Sequence, residues 1–417
     1  MHILILPSEE FLPSDNPLDG IFQYHQAAIL HNAGYDIGII SIKLSLSVPM
    51  ILKGIGFKLI GRKTKNETDD FKTTALLKLC FNRLFLPKKF ITKEVIEGVS
   101  VYRIDNFFYF PPVHNKNHFS WIKAGITCFR EYIKERGKPD LIHAHNAIYA
   151  GMLAKKINQE FAIPYIITEH SSTYALKQAD QRVLERAKKA YTGATGLYAV
   201  SPALAQLLNS LFDINRFRYL QNVLDQFLEQ SPYNLSENKN ASFIFLHIAS
   251  LLPVKDQFTL LNAFQKVAAK KQDVELWIGG GGLLLHDLKE QAKHLGVSDK
   301  VKFLGVLDRK QVISTLQQCD CFVLSSKYET FGVVVIEAML FGKPVIVTRC
   351  GIGQDIVNEK MGYVVEVGDD DGLAEAMVKI TWSHHSFDPE HIRAFAIENF
   401  GKNRFTKDIT KIYKEIA

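Results

Sequence analysis

The sequence predicts an α/β protein of two doubly wound, Rossmann-like domains facing across a cleft, and three observations carry that expectation. Short apolar runs alternate with amphipathic stretches along the chain, the pattern of βα units around a parallel sheet. At 417 residues the chain exceeds what a single core usually holds, so two or three domains are expected. Residues 227–241, FLEQSPYNLSENKNA, are polar and unlike their surroundings, which reads as an interdomain linker.

In order, Ile3 to Pro7 reads as a buried strand, followed by a turn with Pro17, Asp19 and Gly20. IFQYHQAAILHNAG then reads as a helix ended by Gly34, and Tyr35 to Ser41 as the next strand. Strands at Leu141 to Ala144, Tyr165 to Thr168 and Gly196 to Val200 continue a first domain over 1–226. After the linker, FIFLHIAS, VELWIGG, KVKFLG, CFVLSS, PVIVT and GYVVE give the strands of a second domain over 242–403. Ligands of open α/β sheets bind beyond the carboxyl ends of the strands, so the function is expected there.

Composition excludes several classes. With 47% hydrophobic and 23% charged residues the chain is neither disordered nor collagen-like, and no run of eighteen uncharged apolar residues suggests a membrane span. MHILILPSEE lacks a basic leader region and turns polar after six residues, so it reads as a strand and not a signal peptide. Five cysteines without metal-ligand spacing (Cys80, Cys128, Cys319, Cys321, Cys350) suggest reduced, buried thiols and a cytoplasmic protein. A net charge of +6 does not announce a nucleic-acid binder, but its placement is uneven. Residues 52–103 hold twelve basic and five acidic side chains interleaved with Phe, Leu and Ile. That stretch reads either as a peripheral contact with the anionic inner face of the cytoplasmic membrane or as a solvated insertion.

The chemistry concentrates in CFVLSSKYETFGVVVIEAMLFGKPVIVTRCG, residues 321–351. A buried strand ends at Ser325 and Ser326, a short loop carries Glu329, and a helix starts near Gly332, with Glu337 on its second turn. Between the two carboxylates, the backbone N–H groups of Thr330, Phe331, Gly332 and Val333 form a helix N-terminus suited to a phosphate. An isolated Glu pair at this spacing is more often a dipole-favoured charge and a solvated face. The apolar setting of Glu337, after VVVI and before Ala338, is poor for a solvated position. Hydroxyl-binding carboxylates flanking a phosphate site suit a nucleotide sugar.

YETFGVVVIEAMLFGKPVIVT resembles the Glu-x7-Glu signature of retaining glycosyltransferase family four, with the GT-B fold. PLDGIF with Gly20, PDLIHAH, TEH with His170, AVS at 199–201, QNVLD from Gln221, LPVKD with Lys255, the glycines at 279–282 and KVKFLGVL occur in that family's order. The resemblance implies that Glu329 reaches the donor sugar and Glu337 the ribose hydroxyls. It also implies that Lys255 neutralises the leaving diphosphate and that His170 sits near the scissile bond; a lone His after an apolar strand is otherwise more often structural. Gly20 would allow close approach of backbone to phosphate or acceptor. The turn around Leu304 to Val306 matches the base-contacting turn, and the glycines at 279–282 either cradle the donor or make a tight turn. Members usually carry an Arg where this chain has Ser250; Arg349 is a substitute on charge alone. Catalysis without a bound metal is implied, Asp369, Asp370 and Asp371 reading as a surface turn. His143 and His145 read as a fold-stabilising pair. The last segment, about 404–417, is expected to return as a helix to the first domain.

These readings converge on a retaining, NDP-sugar-dependent hexosyl- or related transferase. No cofactor is expected beyond the donor, UDP- or GDP-linked, and the acceptor would be a glycan or lipid-linked glycan of envelope or surface polysaccharide assembly. The alternatives are a nucleotide-sugar 2-epimerase of the same architecture and a catalytically silent partner of another transferase.

Overall fold

The computed structural model describes residues 1–12, 20–45, 91–107, 116–233 and 242–416. The chain forms two compact units: residues 1–169, 179–198 and from Ile412 onward make one, and residues 170–178 and 199–411 the other. Residues 199–226, expected with the first domain, are counted with the second unit, and residues 234–241 of the expected linker lie outside the described residues.

The first unit opens with β1 (His2–Leu6), whose HILIL run is buried from Ile3 to Leu6, as a strand covered on both faces requires. Helix α1 (Ile21–Asn32) follows and stops two residues before Gly34, which takes φ 87°. Next come β2 (Asp36–Ser45), β3 (Ile91–Ile96), β4 (Val99–Phe107) and α2 (Lys116–Arg136). β5 (Leu141–His145), α3 (Met152–Phe161), β6 (Tyr165–Glu169), α4 (Gln181–Thr192) and β7 (Gly196–Ala199) continue the alternation. α5 (Pro202–Phe212) and β8 (Phe217–Tyr219) are counted with the second unit, yet β8 is the last strand of the same eight-stranded sheet, ordered β3-β4-β2-β1-β5-β6-β7-β8. β1 pairs in parallel with β2 and β5, and only the β3–β4 pair is antiparallel among the registers described.

The second unit repeats the scheme. After α6 (Gln226–Glu229), its elements are β9 (Phe243–Ile248), α7 (Gln257–Lys270), β10 (Val274–Gly279), α8 (Leu285–His294), β11 (Val301–Gly305) and α9 (Arg309–Gln318). β12 (Cys321–Leu324), α10 (Val333–Leu340), β13 (Val345–Thr348), α11 (Gly353–Ile356), β14 (Gly362–Val365), α12 (Asp370–Ser383), α13 (Pro389–Phe400) and α14 (Lys402–Ile416) complete it. The six strands are ordered β11-β10-β9-β12-β13-β14, all pairs parallel. This is the dinucleotide-fold order 3-2-1-4-5-6, in which connections leave in opposite directions from the central pair and open a crevice between β9 and β12.

Several expectations acquire physical reasons here. His143 and His145 stack with ring centroids 4.6 Å apart, both buried at the end of β5. His143 Nδ1 lies 2.9 Å from Gln26 Nε2 and 2.8 Å from Tyr413 Oη, and its Nε2 2.7 Å from Thr168 Oγ1. Since an amide nitrogen can only donate, Nδ1 accepts and Nε2–H donates, so the pair is a core element. Asp369 caps α12 by accepting from Gly372 N–H (2.8 Å), while Asp370 and Asp371 both pair with Lys266. Cys128, Cys319, Cys321 and Cys350 are free and buried. Of the basic stretch, residues 52–90 lie outside the described residues; in the remainder Lys93 pairs with Glu135 and Arg103 with Glu94. No helix among the described residues is long and apolar enough to cross a membrane.

Candidate functional site

The crevice between β9 and β12 is flanked by the loop after each strand, 249–256 and 325–332. Hydrogen bonds tie the two loops together: Ser325 Oγ donates to the Lys255 carbonyl (3.0 Å) and Lys327 N–H to the Val254 carbonyl (2.8 Å). Behind them, Thr348 Oγ1 donates to the Ser326 carbonyl (2.6 Å) and Ile352 N–H to the Phe331 carbonyl (2.7 Å). The scaffold is therefore fixed before any ligand arrives.

Across this frame Lys255 Nζ donates to Glu329 Oε1 at 2.6 Å, and Ser326 Oγ donates to the same oxygen at 2.7 Å. The side chains are only 22% and 11% exposed. A cation and a carboxylate held at the mouth of a parallel sheet are each placed to exchange their mutual contact for a polar, charged ligand. Three residues after Glu329, Gly332 turns the chain with φ 91°, a left-handed conformation that a side chain would resist, and α10 begins at Val333. Phe331 is buried beneath the turn, and the first N–H groups of the helix follow it.

Glu337 lies on α10 at 7% exposure. Burial pushes its carboxyl above the usual range, an effect opposed by Arg309. Arg309 opens α9, and its Nη1 donates to Glu337 Oε1 at 3.2 Å while its Nε pairs with Asp225 Oδ2 at 2.9 Å. Thus Glu329 and Glu337 have separate cations. His170 is partly exposed; desolvation lowers its imidazole to about 4, opposed by a hydrogen bond with Asn222's side chain, so it stays neutral near pH 7.

The other expected residues are more scattered. Val306 is 75% exposed after β11. Ser250 is exposed, its carbonyl accepting from Gln257 Nε2 (3.0 Å) and Leu252 N–H (2.9 Å). Gly20 caps α1 in the first unit, at φ 75° against Phe11. Arg349, the substitute suggested on charge alone, follows β13, is half exposed, and pairs with Glu366 at 2.6 Å. The glycines at 279–282 resolve toward close packing. A Cβ on Gly280 would lie 1.9 Å from the Ala249 carbonyl oxygen and one on Gly282 2.4 Å from that of Leu251, so this loop braces the loop carrying Lys255.

Sequence reasoning missed Arg309, Asp225 and Ser326. Asp225 ends the QNVLD segment, a motif quoted for other reasons, and Arg309 stands two residues beyond KVKFLGVL. Their signal was position only.

Two α/β units built on largely parallel sheets, one with paired charges at its switch point, define a GT-B fold. Residues 234–384 match the family described as glycosyl transferases group 1, and residues 91–225 match glycosyltransferase family 4. The chain is 27% identical to N-acetyl-alpha-D-glucosaminyl L-malate synthase of Bacillus anthracis, over 68% of this chain and 77% of the relative. It is 24% identical to alpha-monoglucosyldiacylglycerol synthase of Streptococcus pneumoniae, over 65% and 69%. Anabaena HepE, solved in complex with UDP, shares the fold with a TM-score of 0.68 at 18% identity, covering all of both chains. The chain is a family-four-like group 1 glycosyltransferase. These relatives favour neither an epimerase nor a silent partner.

Proposed function

We propose that the protein is a retaining transferase that moves a sugar from an NDP-sugar to an acceptor hydroxyl, in assembly of envelope glycolipid or surface polysaccharide at the cytoplasmic face of the membrane. The observation that carries this reading is the Lys255–Glu329 pair, 2.6 Å apart at the switch point, beside the N-terminus of α10. In it, Glu329 accepts hydrogen bonds from donor-sugar hydroxyls and Lys255 turns to the diphosphate. The N–H groups from Thr330 to Val333 meet phosphate oxygens, and Glu337 takes the ribose hydroxyls. The neutral His170 lies by the sugar, Val306 and Ser250 border the nucleotide, and Gly20 belongs to its phosphate or acceptor side.

The anomeric C–O bond to the diphosphate breaks while the acceptor oxygen bonds the anomeric carbon on the same face. The acceptor's proton passes to the departing phosphate oxygen, and Lys255 with the helix N-terminus stabilises the charge that develops there. Basic side chains take the role a metal plays elsewhere. UDP and GDP are the proposed nucleotides; the nucleotide in HepE and the sugar-transfer names of the relatives support this class. Residues 52–103 supply a salt-sensitive contact with anionic membrane, tested by vesicle flotation with and without that stretch.

The decisive experiment is a thermal-shift screen of UDP-, GDP-, ADP- and CMP-sugars followed by product analysis with a glycan or glycolipid acceptor. A stabilising donor and an α-linked product from an α-linked donor are expected. Glu329→Gln should lower kcat/KM by about 10²-fold with the fold intact; turnover unchanged in that variant removes the assignment.

A further inference from the structure

The charge arrangement behind Glu337 has a geometry of its own. Arg309 spans two carboxylates: its Nε faces Asp225 at 2.9 Å and its Nη1 faces Glu337 Oε1 at 3.2 Å. Asp225 is itself fixed, since it is buried and caps α6 by accepting from Phe227 N–H at 2.9 Å. The guanidinium is a planar fork, so anchoring one edge sets the direction of the other. Only Oε1 of Glu337 is engaged among the described residues, which leaves Oε2 open as an acceptor. The charged groups that face Glu337 are Arg309 from the start of α9 and Asp225 ahead of α6. Arg393 on α13, the helix that packs along α10, donates instead to the carbonyls of Leu340 and Glu229.

We infer that Arg309, anchored by Asp225, is a positioning residue that holds Glu337 by one oxygen and aims the other at the ribose hydroxyls of the nucleotide donor. The inference rests on the reading of Glu337 given above. Arg309 touches neither sugar nor phosphate in this scheme; it acts through the carboxylate. Because Glu337 is buried, the facing cation also keeps it in the carboxylate form, able to accept from both hydroxyls. Without the cation the carboxyl takes a proton at a higher pH, so nucleotide binding would fall as pH is lowered toward neutrality and return as pH is raised.

The test is calorimetric titration of UDP, and in parallel GDP, into the full chain at pH 6, 7 and 8.5. Relative to wild type, Arg309→Met should weaken binding about tenfold at the two lower pH values and recover most of it at the highest. Arg309→Lys, which restores the charge, should stay within about threefold throughout. Glu337→Gln should weaken binding equally at all three, since it has no proton to lose. Arg309→Gln repeats the measurement with a polar side chain if the Met variant does not fold. Wild-type-like binding in the neutral variants overturns the inference, as does a loss that is the same at every pH and unrescued by Lys, which marks a merely structural residue. Wild-type-like binding in Glu337→Gln, or no binding of either nucleotide by wild type, brings down the underlying reading of the site instead, and the inference with it.

Discussion

Both units carry polar side chains at the carboxyl ends of their central strands, yet the two sets face different partners. In the first unit His143, two residues before the end of β5, is fully buried, and each ring nitrogen has a protein partner: Gln26 and Tyr413 on one side, Thr168 on the other. In the second, Lys255 and Glu329 occupy the equivalent crevice partly exposed, paired among the described residues with each other and with Ser326. Equal topology thus yields a closed polar core in one case and an open, exchangeable charge pair in the other. Strand order selects where a site can form; side-chain satisfaction decides whether one does.

The contrast breaks most visibly at Lys255. Lys255→Met should reduce kcat/KM by about 10²- to 10³-fold, the size of losing one stabiliser of developing charge. Its urea midpoint should move little, because the site is partly open. Steady-state kinetics beside equilibrium unfolding checks both; a large loss of stability with activity preserved would reverse the roles of the two crevices.

A second expectation concerns His247, buried on β9 beneath the site. Burial holds its imidazole at about 4, with Nδ1 donating to the Val323 carbonyl at 2.9 Å. The unfolded chain takes up that proton near pH 6.5, so between 6.5 and 4 it binds more protons than the native state. Stability therefore falls as pH is lowered through that window, by about 3 kcal/mol for a shift of this size. Urea titrations at pH 7 and 4.5 should show a flatter dependence in His247→Gln.

Next in size, His143→Ala leaves three buried polar partners short of a hydrogen bond. It should cost about 2–3 kcal/mol of stability, with donor affinity unchanged in the variant that still folds; a selective loss of donor binding would contradict the closed-core description. Smallest of all, Arg349→Ala should alter kcat/KM by less than about twofold and stability by under about 0.5 kcal/mol, since its exposed pair with Glu366 is of a kind that contributes little.

The central strands were legible because each is a continuous apolar run bounded by turn residues, and burial on both faces leaves little choice of residue; β3, β4 and β8 were not, β3 being mostly exposed and β8 only three residues long. Glu329, Lys255 and the start of α10 were legible because they lie within a few residues of a strand end. What sequence could not supply was convergence. Asp225, Arg309 and Glu337 meet although Asp225 comes from the segment after β8, while Arg309 and Glu337 lie on the helices that follow β11 and β12, an arrangement that no local spacing encodes. Arg349 was named on charge alone, and pairing of β13 with β14 is what puts Glu366 within its reach, a contact that no local spacing encodes either.

The bracing of one loop by glycines 280 and 282 limits how this protein can diversify. Any side chain at those two positions pushes on the backbone that carries Lys255. Neighbouring Leu283 and Val306 project outward at 85% and 75% exposure. Side-chain variation is therefore free to accumulate at 283 and 306, while the glycines between strand and helix stay closed to change.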